Sequence, residues 1–319
     1  MTFRKLGSSS LEIAPLVFGG NVFGWTVDEA ASFRLMDAFV DAGFNAIDTA
    51  DAYSKWFPGN EGGESETIIG KWFQRSGKRD QVVLATKVGL AMGHGAEGLS
   101  LSKAYIMEEV EASLRRLQTD YIDLYQSHFD DPATPLEETL GAYDQLVKQG
   151  KVRFIGASNY KGDRLEEALK VSAAQGYPAY CSLQPLYNLI EREQYETEEE
   201  PACVRHGMGV ITYFSLASGF LTGKYRSTED LTKSDRGGRV EKHLHARGHR
   251  ILGALDEVSA ETGATLSSIS LAWLLSRPSV TAPIVSATSQ PQLEQLFAAT
   301  RLTLNSEQLN KLNTASELP

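Results

Sequence analysis

Four residues of this chain have the types and spacing for acid chemistry on a polarised bond: Asp48, Tyr53, Lys87 and His128. Asp48 and Tyr53 fall in F-N-A-I-D-T-A-D-A-Y at residues 44–53, where Phe44, Ala46 and Ile47 give way to polar residues, as at the end of a buried parallel strand. A phenol of pKa about 10 is a poor acid at neutral pH until a neighbouring charge shifts it. Lys87, which follows the strand-like residues 81–86, supplies a cation. Between the carboxylate and the phenol it stays charged by pairing with Asp48, and it is expected to lower the pKa of Tyr53. His128, after residues 121–126, is placed to hydrogen-bond the oxygen that Tyr53 protonates. This is a general-acid set with no nucleophile and no metal ligands. His243, His245 and His249 have no carboxylate or Cys partner in helical register and do not read as a metal site. Trp25, Trp56, Phe57 and Phe129 lie in loops beside the acid, where they form either an apolar substrate wall or plain packing.

The elements that must position these residues repeat one pattern. Strand signals at residues 16–18, 44–47, 81–86, 121–126, 152–156, 180–183, 210–212 and 281–285 alternate with helical patterns at 29–41, 64–73, 102–117, 136–148, 163–174, 194–205, 250–262 and 266–275. Eight strand–helix units predict an α/β fold, a (β/α)8 TIM barrel forming a single domain over 1–319. The open doubly wound sheet lacks its Gly-rich phosphate fingerprint, since Gly19-Gly20 has no G-x-G-x-x-G around it. Residues 2–14 predict an N-terminal β-hairpin, and 226–250, without apolar period, a long lid loop. In a barrel Asp48, Lys87, His128, Ser158, Asn159, Gln184 and Tyr213 all follow strand ends and converge on the C-terminal face. Tyr213 taken alone reads more readily as core.

Composition sets outer bounds. The 319 residues are 42% apolar with a net charge of -10, which argues against nucleic acid or an acidic membrane as partner and leaves room for one local basic pocket. Two cysteines, Cys181 and Cys203, make no disulfide framework. With no secretory signal pattern and no long apolar run, the expectation is a cytoplasmic protein.

Six ordered motifs resemble the aldo-keto reductase superfamily over nearly the whole chain: F-N-A-I-D-T-A-D-A-Y, L-A-T-K-V-G, D-L-Y-Q-S-H, F-I-G-A-S-N-Y, S-L-Q-P-L-Y-N and I-T-Y-F-S-L-A-S-G-F-L-T-G-K-Y. The insertion Y-S-K-W-F-P-G-N-E-G-G-E-S-E after the acid places it nearer the bacterial and potassium-channel-β-like branches. The resemblance implies NADPH-dependent reduction of a small, apolar or aromatic aldehyde or ketone, with NADH as a weaker alternative. Tyr53 would donate the proton, Lys87 and Asp48 tune it, and His128 orient the carbonyl. Ser158, Asn159 and Gln184 would hold the nicotinamide carboxamide and Tyr213 stack on the ring. Gly20, Asn21, Asp48, Phe214 and Ser215 join the implied cofactor set, with Leu216, Ser218, Gly219, Lys224 and Arg236 near the pyrophosphate and Ser286, Thr288 and Gln292 at the adenosine. At that last motif relatives commonly have P-G-A-R and a later Glu-Asn, where this chain has Val285-Ser286-Ala287-Thr288 and Gln295-Leu296. A regulatory, channel-β-like nucleotide binder is the competing reading. A Schiff-base lyase at Lys87 is disfavoured, because Asp48 would keep the amine protonated.

Overall fold

The computed structural model describes residues 1–92, 98–234 and 236–318. Eight parallel strands close into a barrel in chain order: β3 (Val17–Gly19), β4 (Ala46–Asp48), β5 (Val83–Val88), β6 (Ile122–Ser127), β7 (Val152–Ser158), β8 (Ser182–Gln184), β9 (Gly209–Thr212) and β10 (Ala282–Val285), with β10 returning to β3. Around it run α1 (Glu29–Asp41), α2 (Glu64–Ser76), α3 (Lys103–Leu117), α4 (Leu136–Lys148), α5 (Gly162–Gln175), α6 (Glu200–His206), α7 (Ala246–Thr262), α8 (Leu266–Leu275), α9 (Gln290–Ala299) and α10 (Ser306–Ser316). The (β/α)8 barrel read from the sequence is the observed fold.

Local chemistry explains the helix ends. Asp28 caps α1 by accepting from the Ala31 amide at 2.7 Å, and Leu35, Met36, Phe39 and Val40 line its buried side. Just past that helix Gly43 has φ 91°, a left-handed turn that feeds β4 at little steric cost.

The core has two shells. The larger lies between the barrel and its helices. The smaller fills the barrel interior with Val17, Ala46, Ala85, Leu124, Cys181, Ile211, Ala282 and Ile284, and Leu6, Leu11 and Ile13 of the N-terminal hairpin belong to it. That hairpin pairs only β1 (Arg4–Lys5) with β2 (Glu12–Ile13), shorter than its pattern suggests. Arg4 reaches across to donate to the carbonyls of Val280 at 3.1 Å and Leu275 at 3.2 Å.

Three segments depart from the sequence pattern. The helix expected over 194–205 opens with a π-helical turn, Tyr195–Glu199, and continues as α6 with Pro201 in its first turn, where a missing N–H is tolerated. The lid is not structureless: it holds 3-10 turns at Thr228–Lys233, Gly237–Arg239 and Glu241–His243, anchored by the fully buried Val240, and α7 begins at Ala246. The sequence pattern also left α9 and α10 unassigned. Among the described residues no helix is long and apolar enough to cross a membrane.

Candidate active site

Parallel register sets polar residues side by side at the C-terminal mouth: Asp48 beside Ala85, Lys87 beside Gln126, Ser158 beside Gln184. Fully buried Lys87 donates from Nζ to Asp48 Oδ2 at 2.6 Å, to the Thr49 carbonyl at 2.9 Å and to the Tyr53 hydroxyl at 2.8 Å. Tyr53 also makes a long 3.4 Å bond to Asp48 Oδ2. The other oxygen of Asp48 accepts from Gln126 Nε2 at 3.1 Å and Gln184 Nε2 at 2.9 Å. Every donor of the lysine is therefore used, and the buried carboxylate is met from both sides.

The electrostatics correct one sequence expectation. Burial first, and the Asp48 carboxylate next, push the Tyr53 hydroxyl well above its ordinary value, so Lys87 does not win the contest in the free protein. Burial also lowers Lys87 itself, against the pull of Asp48. Both effects keep the proton on Tyr53 across neutral pH. His128, half-buried beside it with ring centroids 6.0 Å apart, is held well below the usual imidazole range by burial and by Lys87, and so is neutral. Its Nδ1 is buried without a hydrogen-bond partner. Its backbone is fixed at both ends, by its amide to the Val88 carbonyl at 2.8 Å and by Asn159 Nδ2 donating to its carbonyl at 2.8 Å.

Above this floor opens a cavity of about 900 Å³, large enough for a dinucleotide and a small molecule together. It is lined by Asn21, Asp48, Tyr53, Trp56, His128, Phe129, Ser158, Asn159, Gln184, Tyr213, Phe214, Ser215, Leu216, Ser218, Gly219, Lys224, Arg236, Ser286, Thr288 and Gln292. Lys87 lies beneath the cavity instead of on its wall. Gly20 is also behind the wall, where a Cβ would stand 2.9 Å from Ser65 Oγ. Trp25 reaches the cavity through its neighbours, edge-on to Trp56 at 5.7 Å and beneath the Arg236 guanidinium at 5.4 Å. Phe57 is 41% exposed and not part of the wall, so the cleft does not gather it.

Tyr213 donates to Asn159 Oδ1 at 2.7 Å, so a residue that reads as core in isolation lies in the polar layer. Beyond it the backbone is left-handed at Phe214 (φ 49°), Ala217 (φ 48°), Ser218 (φ 56°) and Gly219 (φ 100°). Such non-Gly conformations cost of order 1–3 kcal/mol each and gather at ligand clamps. Two buried side chains hold the loop: Asn188 Nδ2 donates to the Phe214 carbonyl at 3.0 Å, and Ser215 Oγ to the Ile284 carbonyl at 2.9 Å. Within the loop the Ala217 and Gly219 amides donate to the Phe214 carbonyl at 2.6 Å and the Leu216 carbonyl at 2.9 Å, and the Lys224 side chain lies beside Gly219. Across the cleft Ser286 Oγ donates to the Gly19 carbonyl at 2.8 Å, while the amide and hydroxyl of Thr288 both donate to Gln292 Oε1, at 2.9 and 3.0 Å. The unpartnered His128 nitrogen, the Lys224 cation beside the left-handed loop and this donor set fit a nicotinamide dinucleotide.

Sequence reasoning missed Gln126, Asn188, Lys233 and Arg239. Gln126 was findable, since it is the penultimate residue of β6, in register with Lys87. Lys233 and Arg239 reach the cavity from the lid, which carries no periodic signal. Among the described residues no group of three or more His, Cys, Asp or Glu is arranged to hold a metal.

Comparison with known proteins agrees with this geometry. The Aldo/keto reductase family matches residues 15–317. An uncharacterized oxidoreductase, YrpG, of Bacillus subtilis is 36% identical over 321 residues, covering 98% of this chain and 95% of that one. Aldo-keto reductase YhdN of the same organism is 36% identical over 314 residues, covering 97% and 90%. A probable voltage-gated potassium channel subunit beta of Arabidopsis thaliana is 31% identical over 308 residues, covering 94% and 91%. The chain belongs to the aldo/keto reductase family, a family of carbonyl-reducing oxidoreductases.

Proposed function

We propose that this protein reduces an aldehyde or ketone to an alcohol with NADPH, NADH serving less well, and that Tyr53 is the general acid. The observation that carries this reading is the Tyr53 hydroxyl held at 2.8 Å by a buried lysine at the floor of an open cleft. The nicotinamide would supply the hydride. Tyr53 gives its proton to the carbonyl oxygen, and Lys87 stabilises the phenolate left behind through a charge-assisted bond. Neutral His128 offers a hydrogen bond to the same oxygen without competing as a proton source. Asn159, Ser158 and Gln184 are the amide and hydroxyl groups suited to the carboxamide, Tyr213 the platform for the ring, and the 214–219 loop with Lys224 the seat for the pyrophosphate. Trp56 and Phe129 suit an apolar or aromatic substrate. Two buried free cysteines agree with a reducing cytoplasm.

Near Thr288 and Gln292 the donors are neutral, which gives weaker, less charge-selective bonds to a 2′-phosphate than a guanidinium would. The lid cations Lys233, Arg236 and Arg239 line the same cavity and supply the remaining attraction. The preference for NADPH is therefore modest, about tenfold to a hundredfold, or roughly 1.4–2.8 kcal/mol. The relatives named as probable potassium channel β subunits support a second reading, a nucleotide-binding regulatory subunit with little turnover. Consumption of reduced nucleotide across a panel of aldehydes and ketones decides between them, and titration of both nucleotides by fluorescence measures the preference. Binding without turnover on any carbonyl would leave the regulatory reading; equal affinities would show that nothing reads the phosphate.

A further inference from the structure

Behind the acid lies a second group of carboxylates that the reaction does not use. Asp51, Glu66 and Glu109 are all fully buried. Arg116 serves two of them: its Nε donates to Glu66 Oε2 at 2.7 Å, and its Nη2 to Glu109 Oε1 and to Ser113. Glu66 Oε1 accepts in addition from Thr86 Oγ1 at 2.6 Å. Among the described residues Asp51 has no such cation. Its Oδ1 accepts only from the Ala52 amide at 2.6 Å, and its Oδ2 is buried with no hydrogen-bond partner. Its own amide donates to the Lys87 carbonyl at 3.2 Å, so it is fastened to the strand that carries the catalytic lysine.

An ionised carboxylate with one bond, no cation and no water access is among the costliest states a side chain can take. Among the described residues, the titratable and charged groups around Asp51 are Tyr53 from its own loop, Asp48 from the end of β4, Lys87 from β5, Tyr125 from β6, Glu66 from α2, Tyr105, Glu109 and Arg116 from α3, and Tyr143 from α4. The two cations in that set are both engaged by other carboxylates. Tyr125 brings a buried hydroxyl that also lacks a partner.

We propose that Asp51 is a positioning residue for the acid: it is kept as a neutral carboxylic acid, and its proton keeps a second negative charge away from Lys87 and Tyr53. The proposal rests on Tyr53 as the general acid. Burial and the carboxylates of Glu66 and Glu109 act in the same direction, holding the Asp51 carboxyl well above the usual range against the Ala52 amide and Arg116. Were Asp51 ionised, it would draw on the charge of Lys87 and oppose a phenolate at Tyr53, weakening the acid. Reduction therefore fails on the alkaline side when Asp51 loses its proton.

Two measurements test this. The first is a carbon NMR titration of the Asp51 carboxyl in the whole wild-type chain, assigned through the Ala52 amide that it caps. The neutral-acid shift should persist to pH 7; a carboxylate titrating near the ordinary value of about 4 would overturn the proposal. This readout needs no substrate, so it stands even if the chain proves to be no reductase, and it stands if the variant below fails to fold. The second is the pH profile of kcat in Asp51→Asn, which is uncharged and nearly isosteric. Expected are a neutral-pH rate within about threefold of wild type and an alkaline limb moved up by about one pH unit or more. A folded variant that is tenfold slower at neutral pH, roughly 1.4 kcal/mol, or whose alkaline limb does not move, would overturn it.

Discussion

Replacing Tyr53 by Phe removes one oxygen, and the structure says what that costs. Lys87 loses its 2.8 Å bond to the phenol but keeps Asp48 at 2.6 Å and the Thr49 carbonyl at 2.9 Å, so its charge stays paired. Stability should fall by only about 1 kcal/mol, the worth of an ordinary hydrogen bond. The reaction loses its proton donor. General acids contribute about 10²–10⁴-fold, which is roughly 2.7–5.4 kcal/mol of barrier. Tyr53→Phe should therefore bind reduced nucleotide within about threefold of wild type while kcat drops at least a hundredfold. Because the Tyr53 hydroxyl is raised in the free protein, Tyr53 keeps its proton and the wild-type rate should be level through neutral pH. The assay pairs nucleotide titration by fluorescence with the loss of nucleotide absorbance on a reactive aldehyde. A folded variant turning over within about tenfold of wild type would refute Tyr53 as the acid, whatever its nucleotide affinity.

Other perturbations probe other parts. Saturating nucleotide should protect the lid at 226–250 from proteolysis, because ligands stabilise the segments they cover; equal cleavage rates with and without it would make the lid a surface insertion. Gly70→Ala should lower the Tm by destabilising the fold by about 1–3 kcal/mol, since the added Cβ would meet the Arg116 carbonyl and stand 2.7 Å from Leu117 C, where α2 crosses α3. Glu199 is raised to about 7 by burial, so its contribution to stability is present below the unfolded value of about 4.3 and is lost as pH rises towards 7. Glu199→Gln should accordingly stabilise the protein more at pH 8 than at pH 5, by up to about 3 kcal/mol in denaturant titrations; the reverse order would contradict the sign.

The barrel is legible in the chain because its parallel strands are buried along most of their length and most of them carry a polar residue at or next to the C-terminal end. Asp48, Lys87, Ser158 and Gln184 stand at those ends, and closure of the sheet brings them to one mouth. Gln126 obeys the same rule but is overshadowed by His128 two residues later. What resists reading is whatever depends on distance in space. The direction of the Tyr53 shift follows from burial and from which oxygen of Asp48 faces it, and neither is written in spacing. The lid lacks apolar period because its turns advance by three residues and its anchors, buried Val240 with Leu231 and Leu244 packed against the core, fall at irregular intervals. The Glu66–Arg116–Glu109 network joins α2 to α3 across about 50 positions in the chain and leaves no local pattern.

The hairpin that floors the barrel ties the order of synthesis to the order of assembly. Leu6, Leu11 and Ile13 belong to the same interior cluster as Ala282 and Ile284, and Arg4 binds the Val280 carbonyl 276 positions away. The first strand of the barrel likewise pairs with the last, Val17 beside Ile284. Residues made first thus wait for residues made last, so neither floor nor wall closes on an incomplete chain. Contacts of such range form late and slowly, and until they do the apolar side chains of the hairpin and the open edge of β3 remain exposed to other chains.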